Sequence, residues 1–339
     1  MISSFCRRPA VSRANQAGMA VISALLVVTA VSVIVGAMVT RQSTQVRTLE
    51  SEQSRVQARW LLSGGMDWAR ATLRGDARRS AVTHTGQLWA TPISDLRISQ
   101  DGDDRVAIFS GRVEDEQGKF NLQNLALDGE AQPEQVQALS RLLQSLRLPA
   151  DLAPRIAERI ARAQARPVRA GQANGDTENN EQQASTGSAQ TASSQARRGS
   201  ALAPGLRSIT DLRGLEGLDE AAILALTPYL TVLPVRGAIN VNTAPAEVLA
   251  TLSPAFALSQ AMTLAEQRDR GQFFNNRADF VNRIANPEIE IGANAVAADS
   301  NWFSVTGTLR LDRAAVDMRA LLQRNGQEMP RVIWMMEVL

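Results

Sequence analysis

Residues 19–40 of this chain, MAVISALLVVTAVSVIVGAMVT, carry no charged side chain. At ~1.5 Å per residue a helix of that length spans ~33 Å, about the thickness of a bilayer core, so one transmembrane helix is predicted. A cleaved secretory signal has a shorter apolar stretch followed by a small-residue junction. Here the junction, Ala17-Gly18-Met19, comes first. Residues 41–63 contain neither Gly nor Pro, and Val46, Leu49, Val56 and Trp60 recur at helical spacings. Leu62, Met66, Ala69 and Leu73 continue the stripe. The pattern predicts a stem helix over 41–75 that leaves the bilayer, with Gly64-Gly65 as a place for a kink; its apolar stripe reads first as packing on a globular head and second as a groove for a partner. In the membrane half, the pairs Ala20/Ala24 and Ser32/Gly36 set small residues four apart, where sister helices can approach closely.

Beyond the stem the period changes to two. After the turn Asp101-Gly102-Asp103-Asp104, Val106, Ile108 and Ser110 alternate, and residues 111–125 (GRVEDEQGKFNLQNL) read as strand, turn and strand. Phe303, Val305, Gly307, Leu309 and Leu311 alternate near the other end, as do Val316, Met318, Ala320 and Leu322, and residues 331–339 form a last apolar strand. Between these sets lie helical patterns over 133–148, 149–163, 219–226, 245–252, 258–268 and 277–284. The expected fold is α+β: an N-terminal transmembrane and stem helix packed on an antiparallel sheet, with a large all-α domain inserted between strands. The boundaries read as a leader over 1–18, a membrane helix over 19–40, a stem over 41–75 and the first part of the head over 76–125. The inserted helical domain covers 126–298 and the closing strands 299–339. From 170 to 201 the chain has no large apolar residue and cannot bury a core, so a disordered loop is expected over 165–201.

Charge and composition narrow the chemistry. The formal net charge is +2, with 36 basic against 34 acidic residues. Arg7, Arg8 and Arg13 of the leader account for it; without them 33 basic residues face 34 acidic ones, a net charge of −1. Net charge therefore does not imply a nucleic-acid face. The only cysteine, Cys6, lies in the leader, so the rest of the chain has no disulfide and no thiolate chemistry. His84, the only histidine, sits in a polar stretch and reads as an ordinary surface residue. The acidic run Glu114-Asp115-Glu116 reads as a solvent-facing strand edge rather than an acid–base pair. No enzyme is expected.

A basic leader ending at Gly18, followed at once by an apolar helix, resembles the class III signal of type IV pilins and pseudopilins. The resemblance implies cleavage between Gly18 and Met19 by a prepilin peptidase on the cytoplasmic side, and N-methylation of Met19. Most members of that family have Glu at the fifth mature position; here it is Ser23. A carboxylate in a membrane helix costs ~2.5–3.5 kcal/mol on insertion scales and is kept only for a partner, thought in that family to be the amine of an adjacent subunit. A first subunit, with nothing above it, has no amine to neutralise. Arginines flank both ends of the span, so charge does not fix the orientation; a short cytoplasmic N-terminus is the simpler topology.

The blocks GRVEDEQGKFNLQNL, SITDLRGLEGLDEAAILALTPYLTVLP and INVNTAPAEVLATL, in that order and with Ser23, resemble the minor pseudopilin K family of type II secretion systems. The resemblance implies a pilin-like sheet with a helical insertion, anchored once in the inner membrane with the C-terminal domain periplasmic. It implies minor pseudopilins I and J as partners at the pseudopilus tip, the prepilin peptidase, and the inner-membrane assembly platform. Some members are thought to bind calcium through clustered acidic side chains. Here Asp176, Glu178 and Glu181 fall in the low-complexity loop, so no cofactor is assigned, and calcium stays open with its ligands unknown. INVNTAPAEVLATL with residues 268–273 also resembles helix-hairpin-helix proteins of DNA uptake. The corresponding hairpin, residues 253–258 (SPAFAL), has no glycine to bring backbone N–H groups to a phosphate, and its proline has no N–H. No nucleic-acid partner is expected.

Overall fold

The structure, a computed structural model, describes residues 13–99, 105–165, 201–312 and 314–338. Residues 1–12 of the leader, the turn at 101–104 and nearly all of the loop expected at 165–201 lie outside the described residues. One helix, α1 (Arg13–Arg79), carries the membrane run and the stem without interruption. It starts inside the leader and outlasts the expected stem by four residues.

Strands β1 (Ile93–Ser99) and β2 (Val106–Asp115) follow α1. The chain then leaves the sheet through β3 (Phe120–Asn121), β4 (Ala126–Leu127) and β5 (Glu130–Ala131) into α2 (Pro133–Ser145) and α3 (Leu152–Ala163). After residue 201 come α4 (Glu220–Leu226), β6 (Leu230–Thr231), β7 (Ile239–Asn240), α5 (Ala246–Leu249), α6 (Leu258–Asp269), α7 (Arg277–Ile284) and β8 (Val296–Ala297). The sheet resumes with β9 (Trp302–Leu311), β10 (Ala314–Gln323) and β11 (Arg331–Val338). Its order is β1-β2-β9-β10-β11, all antiparallel, and β2 meets β9 from Ala107↔Leu311 to Asp115↔Phe303. The strands split by the insertion are therefore neighbours.

Helix α1 lies across one face of this sheet, and the contact is dry. Ala58, Leu62, Met66, Ala69 and Leu73 bury against Phe109, Val113, Val305, Leu309, Val316, Met318 and Ala320. In β2 the buried set is Ala107, Phe109, Val113 and Asp115, so the face holding Val106, Ile108 and Ser110 is the outer one. The helix continues through Gly64-Gly65, and Gly65 serves close approach instead of a kink. A Cβ at Gly65 would lie 2.8 Å from the Phe109 ring, one at Gly111 2.9 Å from it, and one at Gly307 3.0 Å from Leu62. The missing side chains at these three positions leave room for the Phe109 ring and the Leu62 side chain between helix and sheet.

The insertion has its own core, built on Leu139, Leu142, Leu143, Ile156, Ile160, Phe274 and Phe280. Asp219 and Asn276 cap α4 and α7 by accepting from Ala222 and Asp279 backbone N–H groups. The all-α insertion expected from sequence is corrected: the insertion also contains short strands. β6, β7 and β8 lie within it, β3 pairs with β6 and β7 with β8, both parallel, and β4 pairs with β5. These short ladders satisfy buried backbone groups where extended segments cross its base. The last strand, β11, forms at the sheet edge with Val332, Ile333, Met335, Met336 and Val338 exposed.

Candidate assembly surface and the junction of the two domains

Within α1, Val21–Gln42 is long and apolar enough to cross a membrane, and none of its window is buried by the rest of the chain. Gly18 and Met19 both lie in the helix, as does Ser23 within the span. Ala24, Ser32 and Gly36 are exposed, while the side chain of Ala20 lies outside the described residues. A Cβ at Gly36 would meet nothing within 4 Å, so its small size answers no need of the chain's own packing. Ser32 Oγ donates to the Val28 carbonyl at 2.8 Å, which satisfies its hydroxyl in an apolar setting.

The stem stripe divides in two. Leu62, Met66, Ala69 and Leu73 face the sheet. Leu49, Val56 and Trp60 are 70%, 47% and 75% exposed, and Val46's side chain lies outside the described residues. At about 100° per residue, Leu49, Val56 and Trp60 fall within about 20° of one line, roughly opposite Ala58 and Ala69. The expected packing of the whole stripe on the head is thus corrected for its first half. This half lies on the back of the helix.

The acidic run at the end of β2 is also corrected. Asp115 and Glu116 are 7% and 3% exposed, not on a solvated edge. Asp115 Oδ2 accepts from Asn240 Nδ2 at 2.8 Å, Thr243 Oγ1 at 2.6 Å and Ser300 Oγ at 2.6 Å, and its Oδ1 accepts from the Gln117 N–H at 2.9 Å. Burial pushes the Asp115 carboxyl above its ordinary range, with these hydrogen bonds acting against it. Burial also opposes ionisation of Glu116, but Lys119 at 2.9 Å and hydroxyl hydrogen bonds, including one from Thr231 at 2.6 Å, hold it below the ordinary range. Arg324, at the end of β10, donates to Thr83 Oγ1 at 2.6 Å and to the Ser300 carbonyl at 2.5 Å. His84, next to Thr83, stacks on Phe273 of the insertion with ring centroids 3.7 Å apart, and burial holds it below its ordinary value despite the charge of Asp76. The sequence signal for Asp115 was its place in the odd-numbered series with Ala107, Phe109 and Val113. Among the described residues no cluster of three or more His, Cys, Asp or Glu side chains is arranged to hold a metal. Asp176, Glu178 and Glu181 lie outside the described residues.

Two family models, each described as type II secretion system (T2SS) protein K, match residues 118–235 and 239–306, together more than half of the chain. The chain belongs to the type II secretion system protein K family. It is a minor pseudopilin. The Type II secretion system protein K of Pseudomonas aeruginosa is 28% identical over 333 residues, covering 95% of this chain and 92% of that one. The protein K of Pectobacterium carotovorum subsp. carotovorum is 29% identical, covering 93% of this chain and 95% of that one. The crystal structure of the GspK-GspI-GspJ complex from the enterotoxigenic Escherichia coli type 2 secretion system contains a chain with the same fold. The TM-score is 0.60 at 23% identity, covering 86% of this chain and 99% of that one.

Proposed function

We propose that this protein caps the pseudopilus tip in complex with the minor pseudopilins I and J and helps to initiate assembly for export across the outer membrane. The observation that carries the reading is the apolar back of the stem helix. Leu49, Val56 and Trp60 continue the line of a membrane helix that its own chain leaves uncovered. Two further helices laid there would bury that line, and the solved relative is recorded as a complex with I and J. Ser23 suits a first subunit, which has no amine above it to neutralise. The leader is removed between Gly18 and Met19 by a prepilin peptidase and Met19 is N-methylated. The mature chain then sits in the inner membrane with its head in the periplasm, where the assembly platform engages it. No cofactor is assigned, and the protein is structural rather than enzymatic.

Co-expression of the region from residue 41 onward with minor pseudopilins I and J should yield a ternary complex at micromolar concentration. Failure to retain either partner would sink the tip reading. Replacing Gly18 by a bulkier residue should leave the unprocessed precursor, and normal processing at Met19 would overturn the leader assignment. A calcium-dependent rise in melting temperature would overturn the absence of a cofactor.

A further inference from the structure

The insertion joins the sheet through two chain crossings, one after Asp115 and one before Trp302. The apolar cores on either side stay separate. One is built wholly from the insertion and its connecting segments, the other wholly from α1, the loop after it and the sheet. Non-polar contact links them at two places, the stack of His84 on Phe273 and a small patch in which Leu233 meets Trp302 and Leu321.

Polar groups fill the remaining junction. Ser300 Oγ and Asp115 Oδ2, one on each crossing, are bonded to each other at 2.6 Å. Asn240, from inside the insertion, donates to both of them at 2.8 Å and to the Thr83 carbonyl at 3.0 Å. Asn301 N–H donates to Gln117 Oε1 at 2.5 Å, which ties the two crossings a second time. Thr83 receives the Ser300 N–H and the Arg324 guanidinium, bringing in the loop after α1 and the end of β10.

Apolar contacts are non-directional and allow two bodies to slide. Buried hydrogen bonds are directional, and a displaced one leaves a desolvated group without a partner. From this arrangement we infer that the Asp115–Asn240–Thr243–Ser300 cluster is an orientation lock, which makes the inserted domain and the stem helix turn as one rigid body.

The lock is tested on the full-length chain in detergent, with Cys6 replaced by Ser and spin labels on cysteines introduced at the exposed positions Gln53 and Gln137. The parent should give one narrow distance distribution. Asn240→Ala and the milder Thr243→Val should each broaden it at least twofold. Asn124→Ala, which removes a polar contact to Gly237 outside the cluster, should leave it unchanged. Should Asn240→Ala fail to fold, Thr243→Val decides alone. An unaltered width in a folded variant of the cluster, or equal broadening by Asn124→Ala, overturns the lock.

Discussion

The sheet is held on its two sides by opposite chemistry. Toward α1 the contact is apolar and close, with the Phe109 ring seated against Gly65 and Gly111. Toward the insertion it is polar, with Asp115 receiving hydrogen bonds from several elements. The first contact derives its strength from area removed from water, the second its direction from buried donors and acceptors that are costly to displace. A stem needs adhesion to its head, and an appended domain needs an angle.

The dry side should be the more sensitive to truncation. Phe109→Ala empties the space beneath the helix and should cost about 3–5 kcal/mol of stability, read from urea unfolding. A loss under about 1 kcal/mol would mean that the helix does not depend on that ring. Asp115→Ala should rank next, at about 2–3 kcal/mol, because the Thr243 and Ser300 hydroxyls and the Gln117 N–H lose their carboxylate acceptor while Asn240 keeps only Thr83 and Ser300. Equal effects at both sites would erase the distinction between them.

Acidity separates the two contacts further. The folded Asp115 carboxyl lies above its unfolded value of 3.8, so the folded chain binds that proton more tightly. Its contribution to stability is therefore complete below 3.8 and is lost as pH rises through the folded value. Asp115→Asn does not ionise, so its stability relative to the parent should improve as pH rises from about 4 through the raised folded value. A difference that stays flat, or moves the other way, contradicts the burial account. Phe109→Ala should show no such dependence.

The smallest effect on stability belongs to the back of the stem. Trp60→Ala removes a side chain that is three-quarters exposed and should change stability by less than about 0.5 kcal/mol. It should nevertheless weaken retention of I and J. A large loss of stability would place Trp60 in the head's own core.

Much of this molecule was legible in sequence, and the misses share a cause. The uncharged run, the helical segments at 219–226 and 277–284, and the split meander all follow from local period and capping, which act within a few residues. Periodicity marks a face without saying what covers it. Leu49, Val56 and Trp60 therefore read like Leu62 and Leu73, although only the latter pair is buried against the sheet. Asp115 read as solvated because it stands between two glutamates. Its burial depends on Asn240 and Ser300, more than a hundred residues away in the chain. The odd-numbered alternation from Ala107 pointed inward all along. Gly65 suggested a kink for the same reason, since its need for glycine comes from Phe109, a neighbour only in the fold.

The central claim, that the back of the stem is the partner face, is tested most directly by crosslinking. Cys6 is the only native cysteine, so in a Cys6→Ser chain single cysteines can be placed at Leu49, Val56 and Ser51. Ser51 is exposed but sits on the opposite side of the helix. With I and J present, the cysteines at 49 and 56 should crosslink to a partner and the one at 51 should not. Equal crosslinking at all three positions, or crosslinking at 51 alone, would contradict the account.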